Sequence, residues 1–277
     1  MSAVHVGISL CEPLDRERAV EAARLAEQLG FDGFWLPEHP TVTPFGGFGD
    51  PLLVLSHLAA TTRSIRLGTS ILVLPYRSAV LVANQAATLD VLSGGRFTLG
   101  VGAGHDPAEF AALGIPRAER GARLDEGLEV ITRLWTAQPV TFAGRFAELD
   151  GTVVGTAPST PAGPPLWIGG NSAHALRRAV RFGSAWHGEG LGLEQFLAAR
   201  RTLERLLRDA GRDPGTLQLT MLYTRACERD AATELTALIR AGLDACVLEV
   251  GGHPAETLER IERIGLDVLP ALKGEAR

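Results

Sequence analysis

Short apolar runs and longer amphipathic segments alternate along the whole of this 277-residue chain. Eight runs rich in Val, Ile and Leu have the length and composition of strands: Val4–Leu10, Phe34–Pro37, Arg66–Leu74, Phe97–Gly102, Pro165–Gly169, Ala185–Gly188, Leu217–Ala226 and Ala245–Val250. Each is followed by a segment with helical spacing. The first helix is expected to begin near Asp15, a good N-cap residue, and to stop at Gly30, with Ala19, Ala22, Ala23, Ala26 and Leu29 turned inward. Further helices are expected over Pro51–Thr62, Ala79–Leu92, Ala118–Thr136, Ala173–Phe182, Leu193–Ala210, Asp230–Arg240 and Pro254–Ile264. Gly211, Gly242 and Gly265 stand where helix-closing glycines belong.

Units of about 35 residues are the size of βαβ crossovers, which join parallel strands. Leu72-Val73-Leu74 and Leu166-Trp167-Ile168 are apolar on both faces, as parallel strands covered by helices must be. The expected fold is α/β, an eight-fold β/α (TIM) barrel in a single domain, with a doubly wound open sheet as the competitor. The segment Gln138–Pro164, rich in Gly, Pro and Thr, reads as an irregular excursion too short for a second domain.

Composition narrows the function. With 27 Lys and Arg against 32 Asp and Glu, the net charge is −5, and no basic run offers a footprint for nucleic acid. The three cysteines, Cys11, Cys227 and Cys246, are odd in number and far apart, which fits a reducing compartment and no zinc site. The start at Met1 lacks a signal-peptide pattern, and no apolar stretch reaches the roughly 18 residues of a membrane helix. The expectation is a cytoplasmic protein without nucleic-acid or membrane partners.

A barrel places its chemistry on the loops after the strands. These are Cys11–Pro13, Glu38–Asp50, Ser70–Arg77, Gly102–Glu109, Gly170–Ser172, His187–Gly192 and Gly251–His253. Glu38-His39 ends the second strand, and histidine suits proton transfer near neutral pH. Gly100-Val101-Gly102-Ala103-Gly104 is not a dinucleotide fingerprint, because His105 takes the sixth position and Pro107 is expected to delay the helix. It is a strand end where backbone can approach a flat ligand closely. Gly169-Gly170-Asn171-Ser172 opens a helix with Ser172 as N-cap, a ready site for an anion such as phosphate. The pattern around Ser172 misses a nucleophile elbow by His174. No histidine spacing suggests a metal.

Several segments in order carry a family resemblance: Trp35-Leu36-Pro37-Glu38-His39, Ile65 through Pro75, Asn84 through Asp90, Leu92 through Gly104, Glu119 through Glu126, and Trp167 through Ser172. Together they resemble the bacterial luciferase-like superfamily of flavin- and deazaflavin-dependent oxidoreductases. The resemblance implies a barrel holding the deazaflavin coenzyme F-420, or FMN as the alternative, over its strand ends. It implies His39 as proton donor or acceptor, with Glu38 setting its orientation and charge. It assigns Ser70, Ile71 and Val73 to the cofactor face of the third strand. Gly102, Ala103, Gly104 and His105 would run along ring and ribityl chain, and Gly169, Gly170, Asn171 and Ser172 would meet the phosphate.

The implied reaction is hydride transfer to or from a small organic substrate. The alternatives are an FMN-dependent monooxygenase served by a flavin reductase and, in a different class, a non-catalytic flavin-binding protein. Bacterial luciferase has a phosphate-binding Arg where this chain has Ala103 and a reactive Cys where it has Gly102, so a true luciferase is not implied. The stretch before the seventh strand is also shorter than in many members. A homodimer is expected through the helices after the second and third strands, where Leu52, Leu53, Leu55, Leu58, Val80, Leu81, Val82 and Ala83 are apolar. The resemblance finally implies a non-prolyl cis peptide at Ser70–Ile71.

Overall fold

A computed structural model describes residues 4–42, 47–251 and 253–274. Met1–Ala3 of the expected leaderless start, positions 43–46 of the loop after the second strand, and Gly252 lie outside the described residues.

Eleven strands are found among them: β1 (His5–Leu10), β2 (Gly33–Leu36), β3 (Arg66–Thr69), β4 (Leu72–Val73), β5 (Phe97–Gly102), β6 (Val140–Ala143), β7 (Glu148–Thr152), β8 (Leu166–Gly169), β9 (Ala185–Glu189), β10 (Gln218–Tyr223) and β11 (Ala245–Val250). The helices are α1 (Arg16–Leu29), α2 (Pro51–Thr61), α3 (Ala79–Leu92), α4 (Pro107–Ala112), α5 (Arg120–Thr136), α6 (Ala173–Phe182), α7 (Leu193–Asp209), α8 (Ala231–Arg240), α9 (Thr257–Arg263) and α10 (Leu269–Gly274). Parallel pairing runs from β3 through β2, β1, β11, β10, β9 and β8 to β5, and β3–β5 pairing closes the ring. The expected barrel is therefore present. β4 continues the third barrel strand after a break at Ser70–Ile71, whose peptide is cis as the resemblance implied.

Strand alternation divides the core in two. On β1, Val6, Ile8 and Leu10 join the continuous layer between barrel and helices. The barrel interior is a second cluster built on Trp35, Trp167, Ala185, Ala245 and Val247. The two indoles stack at 4.3 Å. Gly7, Gly33 and Gly68 give Trp35 its room: a Cβ at Gly7 would lie 2.5 Å from the indole nitrogen, one at Gly33 2.7 Å from it, and one at Gly68 would enter the ring. Glycine here is a packing requirement rather than a turn signal.

Asp15 caps α1 by accepting from Arg18 N–H, and Gly30, Gly211 and Gly242 take positive φ as expected. Gly265 does not close a helix. It lies inside a wide turn, Ile264–Val268, that carries the chain from α9 directly into α10. The excursion at Gln138–Pro164 contains the antiparallel hairpin β6–β7, held by Glu126 accepting backbone N–H groups from Arg145, Phe146 and Ala147. Alternation is weak there because most of the hairpin's side chains are exposed or half-buried. Pro107 does not delay the following helix but begins it. Asp106 accepts from Ala108 N–H as N-cap, and proline loses nothing in a first turn.

Candidate active site

The C-terminal strand ends enclose a cavity of about 560 Å³. It brings together every residue assigned from the sequence: Glu38, His39, Ser70, Ile71, Val73, Gly102, Ala103, Gly104, His105, Gly169, Gly170, Asn171 and Ser172. Such a volume falls in the range of small-molecule and cofactor sites.

One wall is backbone. Gly104 has φ +73°, which a β-carbon disfavours, and Val73 and Phe110 close the space beside it. The Ile71 side chain lies between two strands. A Cβ at Gly102 would come within 2.8 Å of its Cδ1, and one at Gly169 within 2.8 Å of its Cγ2.

At one end, Gly170 turns at φ +118° and its N–H donates to the His187 carbonyl. Ser172 then caps α6 by accepting from Ala175 N–H at 3.2 Å. The Asn171 side chain is spent on position 189: its amide donates to the Glu189 carbonyl, and its oxygen accepts from Glu189 N–H. An anion here would be met by the helix terminus, the Ser172 hydroxyl, and Arg120 and Arg178, which also line the cavity. Arg178 is held in place by Asp125.

At the other end, His39 Nδ1 lies 3.1 Å from Glu109 Oε1, and the Tyr76 hydroxyl donates to Glu109 Oε2 at 2.9 Å. Glu109 is 1% exposed. Glu109 holds the ring through Nδ1, so Nε2 is the ring nitrogen turned from that carboxylate. Burial, then the bond to Glu109, pushes the Tyr76 phenol well above its ordinary range, which keeps it a donor. Glu109 ends the loop Gly102–Glu109 named from the sequence, but the sequence reading did not single it out as a partner of His39. Its signal was the Asp106-Pro107 helix start, which makes it the first-turn acid of α4.

The carboxylate set against His39 Nδ1 is thus Glu109, whereas the Glu38 carboxylate turns elsewhere. The Glu38 carboxylate accepts from Val73 N–H at 2.6 Å and from Arg77 Nε at 2.9 Å, with Arg77 Nη2 also paired to it. Arg77 reaches Asp50 at 2.8 Å as well. Burial raises Glu38 above the usual carboxylate range, opposed by Arg77 and Val73 N–H. Glu38 braces the third barrel strand and the loop after it.

Below the mouth runs a chain of hydrogen bonds whose direction is fixed by its last member. The Thr220 hydroxyl donates to the Trp186 carbonyl at 3.0 Å, because a carbonyl can only accept. It must then accept from His187 Nδ1–H at 2.8 Å, so His187 Nε2 accepts from the Ser70 hydroxyl at 2.9 Å. The Ser70 oxygen consequently offers the cavity lone pairs and no hydrogen. Burial pushes His187 down to about 3, and it stays neutral. Cys11, also on the cavity wall, is pushed up to about 12 by burial and then Glu249, an inert thiol at neutral pH.

His187 gives a pH-dependent prediction. An unfolded histidine binds a proton below about 6.5, whereas native His187 does so only near 3, so its contribution is complete above 6.5 and lost as pH falls toward 3. Urea unfolding should show the parent protein losing about 2 kcal/mol more than His187→Gln between pH 7 and pH 5. Equal losses would mean that His187 titrates normally.

Residues 3–267 match the family described as luciferase-like monooxygenase. A 4-hydroxyprotoasukamycin monooxygenase from Streptomyces nodosus subsp. asukaensis is 39% identical over 170 residues, 61% of this chain and 46% of that one. The chain thus matches under half the length of that relative. An F-420-dependent glucose-6-phosphate dehydrogenase from Amycolatopsis mediterranei is 29% identical over 266 residues, 91% of this chain and 77% of that one. Among solved structures, an F-420-dependent secondary alcohol dehydrogenase in complex with an F-420–acetone adduct superposes with a TM-score of 0.84 at 20% identity. That superposition covers 98% of this chain and 99% of the other, and shows the shared fold. No described helix is long and apolar enough to cross a membrane.

Proposed function

The chain belongs to the luciferase-like monooxygenase family of oxidoreductases, and from that premise we propose that it uses coenzyme F-420 for hydride transfer to or from a small organic substrate. The carrying observation is the pairing of His39 with buried Glu109 on the wall of a glycine-lined cavity whose far end is a capped helix terminus beside two arginines. The residues fit such a group. Gly102 and Gly104 bring backbone without side chains to the cavity wall, and the α6 terminus with Arg120 and Arg178 suits its phosphate.

A deazaflavin supplies the hydride chemistry when bound. His39 would hold or move a substrate proton at Nε2, Glu109 and Tyr76 would keep the imidazole oriented, and the Ser70 oxygen would be the acceptor offered to a bound ring or substrate. The F-420-dependent relative matched over 91% of this chain supports that coenzyme, as do Ala103 and Gly102 in place of luciferase's Arg and Cys. An FMN-dependent monooxygenase with a reductase partner is the second reading, favoured by the monooxygenase relative at 39% identity.

Titration with each cofactor, followed by ligand fluorescence, separates the two. Micromolar affinity for F-420 is expected, and micromolar FMN binding with none for F-420 would overturn the choice. A substrate screen under reducing and aerobic conditions then identifies the reaction.

We also propose that two copies pair through α2 and α3. Leu55, Leu58, Val82 and Ala83 are buried within the protein, but Leu53 and Leu81 are 72% and 60% exposed and give those helices an apolar outer stripe. Sedimentation should give twice the chain mass at micromolar concentration, and a lone monomer would refute the pairing.

A further inference from the structure

The opposite end of the barrel carries the second feature. β/α barrels ordinarily fill their interior with layers of side chains, including the layer at the N-terminal strand ends. Here that layer is incomplete, and a cavity of about 420 Å³ opens among residues that include His5, Asp32, Arg66, Trp35, Trp167 and Gln218. The size is that of a small-ligand pocket. Its inner wall is the stacked Trp35–Trp167 pair, 3% and 7% exposed.

Donors without a described acceptor stand on the wall of this cavity. The other two indoles are satisfied within the protein: Trp135 donates to the Ala83 carbonyl and Trp186 to the Gly170 carbonyl. Trp35 and Trp167 donate to no described residue. Neither indole nitrogen is among the fully enclosed side-chain atoms that lack a hydrogen bond among the described residues, so both open onto the cavity side. Asp32 is compensated internally, because one oxygen accepts Val6 N–H at 2.8 Å and the other faces Lys273 at 3.4 Å. Arg66 is exposed, and it enters none of the ion pairs among the described residues.

We infer that the N-terminal mouth is a second ligand site, taking a small planar aromatic carboxylate. The ring would lie against the indole wall, and the carboxylate would accept from Arg66 and from indole N–H. An indole N–H and a guanidinium can only donate, and an ionised carboxylate can only accept. Contact with the accessible indole edges supplies the apolar part of the affinity.

The probe is naphthoate, with neutral naphthyl methanol as its control, titrated into the ¹⁵N-labelled full chain. The indole cross-peaks of Trp35 and Trp167, assigned with Trp35→Phe, are expected to shift while those of Trp135 and Trp186 stay. Arg66→Gln, an exposed substitution that leaves the core untouched, should weaken naphthoate about tenfold or more, and naphthyl methanol should bind about that much more weakly than naphthoate. Three results would overturn the site: no saturation at millimolar naphthoate, equal affinity in Arg66→Gln, or displacement of naphthoate by the redox cofactor. The last would place the probe in the other cavity, and none of the three bears on the cofactor assignment.

Discussion

His39→Ala is expected to lower turnover about 10²- to 10⁴-fold, the usual contribution of a positioned general acid or base. Cofactor affinity should change little, because the groups proposed to meet the phosphate, Ser172, Arg120 and Arg178, are not members of the His39–Glu109 pair. The measurement is single-turnover oxidation of the reduced cofactor by the substrate that the screen finds, beside a cofactor titration. Glu109→Gln keeps the side chain's shape, withdraws its charge from the imidazole, and should give an intermediate loss. Full turnover in His39→Ala would leave the barrel a binding protein and remove the proton-transfer role.

Arg77→Ala should cost about 3–5 kcal/mol of stability, the range for removing one partner of a buried ion pair. Its guanidinium joins Glu38, whose side chain is 4% exposed, to Asp50. Without it the Glu38 carboxylate stays buried with Val73 N–H as its remaining hydrogen-bond donor. Urea unfolding reads the loss directly. The double variant Arg77→Met with Glu38→Met should recover much of it, because an apolar pair of similar volume carries no desolvation cost. A single-variant loss below about 1 kcal/mol would class the contact with surface ion pairs.

The barrel was legible because its strands are covered on both faces. Phe97–Gly102 and Ala245–Val250 were bounded correctly to the residue, as were the helices Ala79–Leu92 and Ala173–Phe182. Apolar runs with sharp polar or glycine edges leave little choice of boundary. The positions lining the cavity followed from the strand ends and from the family resemblance. What the sequence concealed was partnership. Adjacent in sequence, Glu38 and His39 look like a pair, yet one carboxylate turns to Arg77 while the imidazole meets Glu109, 70 positions away. The α4 helix was hidden by reading Pro107 as a delay, although Asp-Pro is an N-cap followed by a first-turn proline. Gly265 misled in the opposite way. Its position after a periodic segment suggested an end, but burial against Leu29 lets the chain coil onward.

Ile71, wedged between Gly102 and Gly169, makes the cavity wall epistatic. Any side chain at either glycine must take space that Ile71 already holds, and overpacking of that kind costs about 1–3 kcal/mol. A smaller residue at position 71 would release the constraint at both positions together. The order of change is thereby set: lineages that enlarge position 102 would first have to trim the neighbouring strand. A search for new specificity that starts from this chain should vary 71, 102 and 169 as one unit.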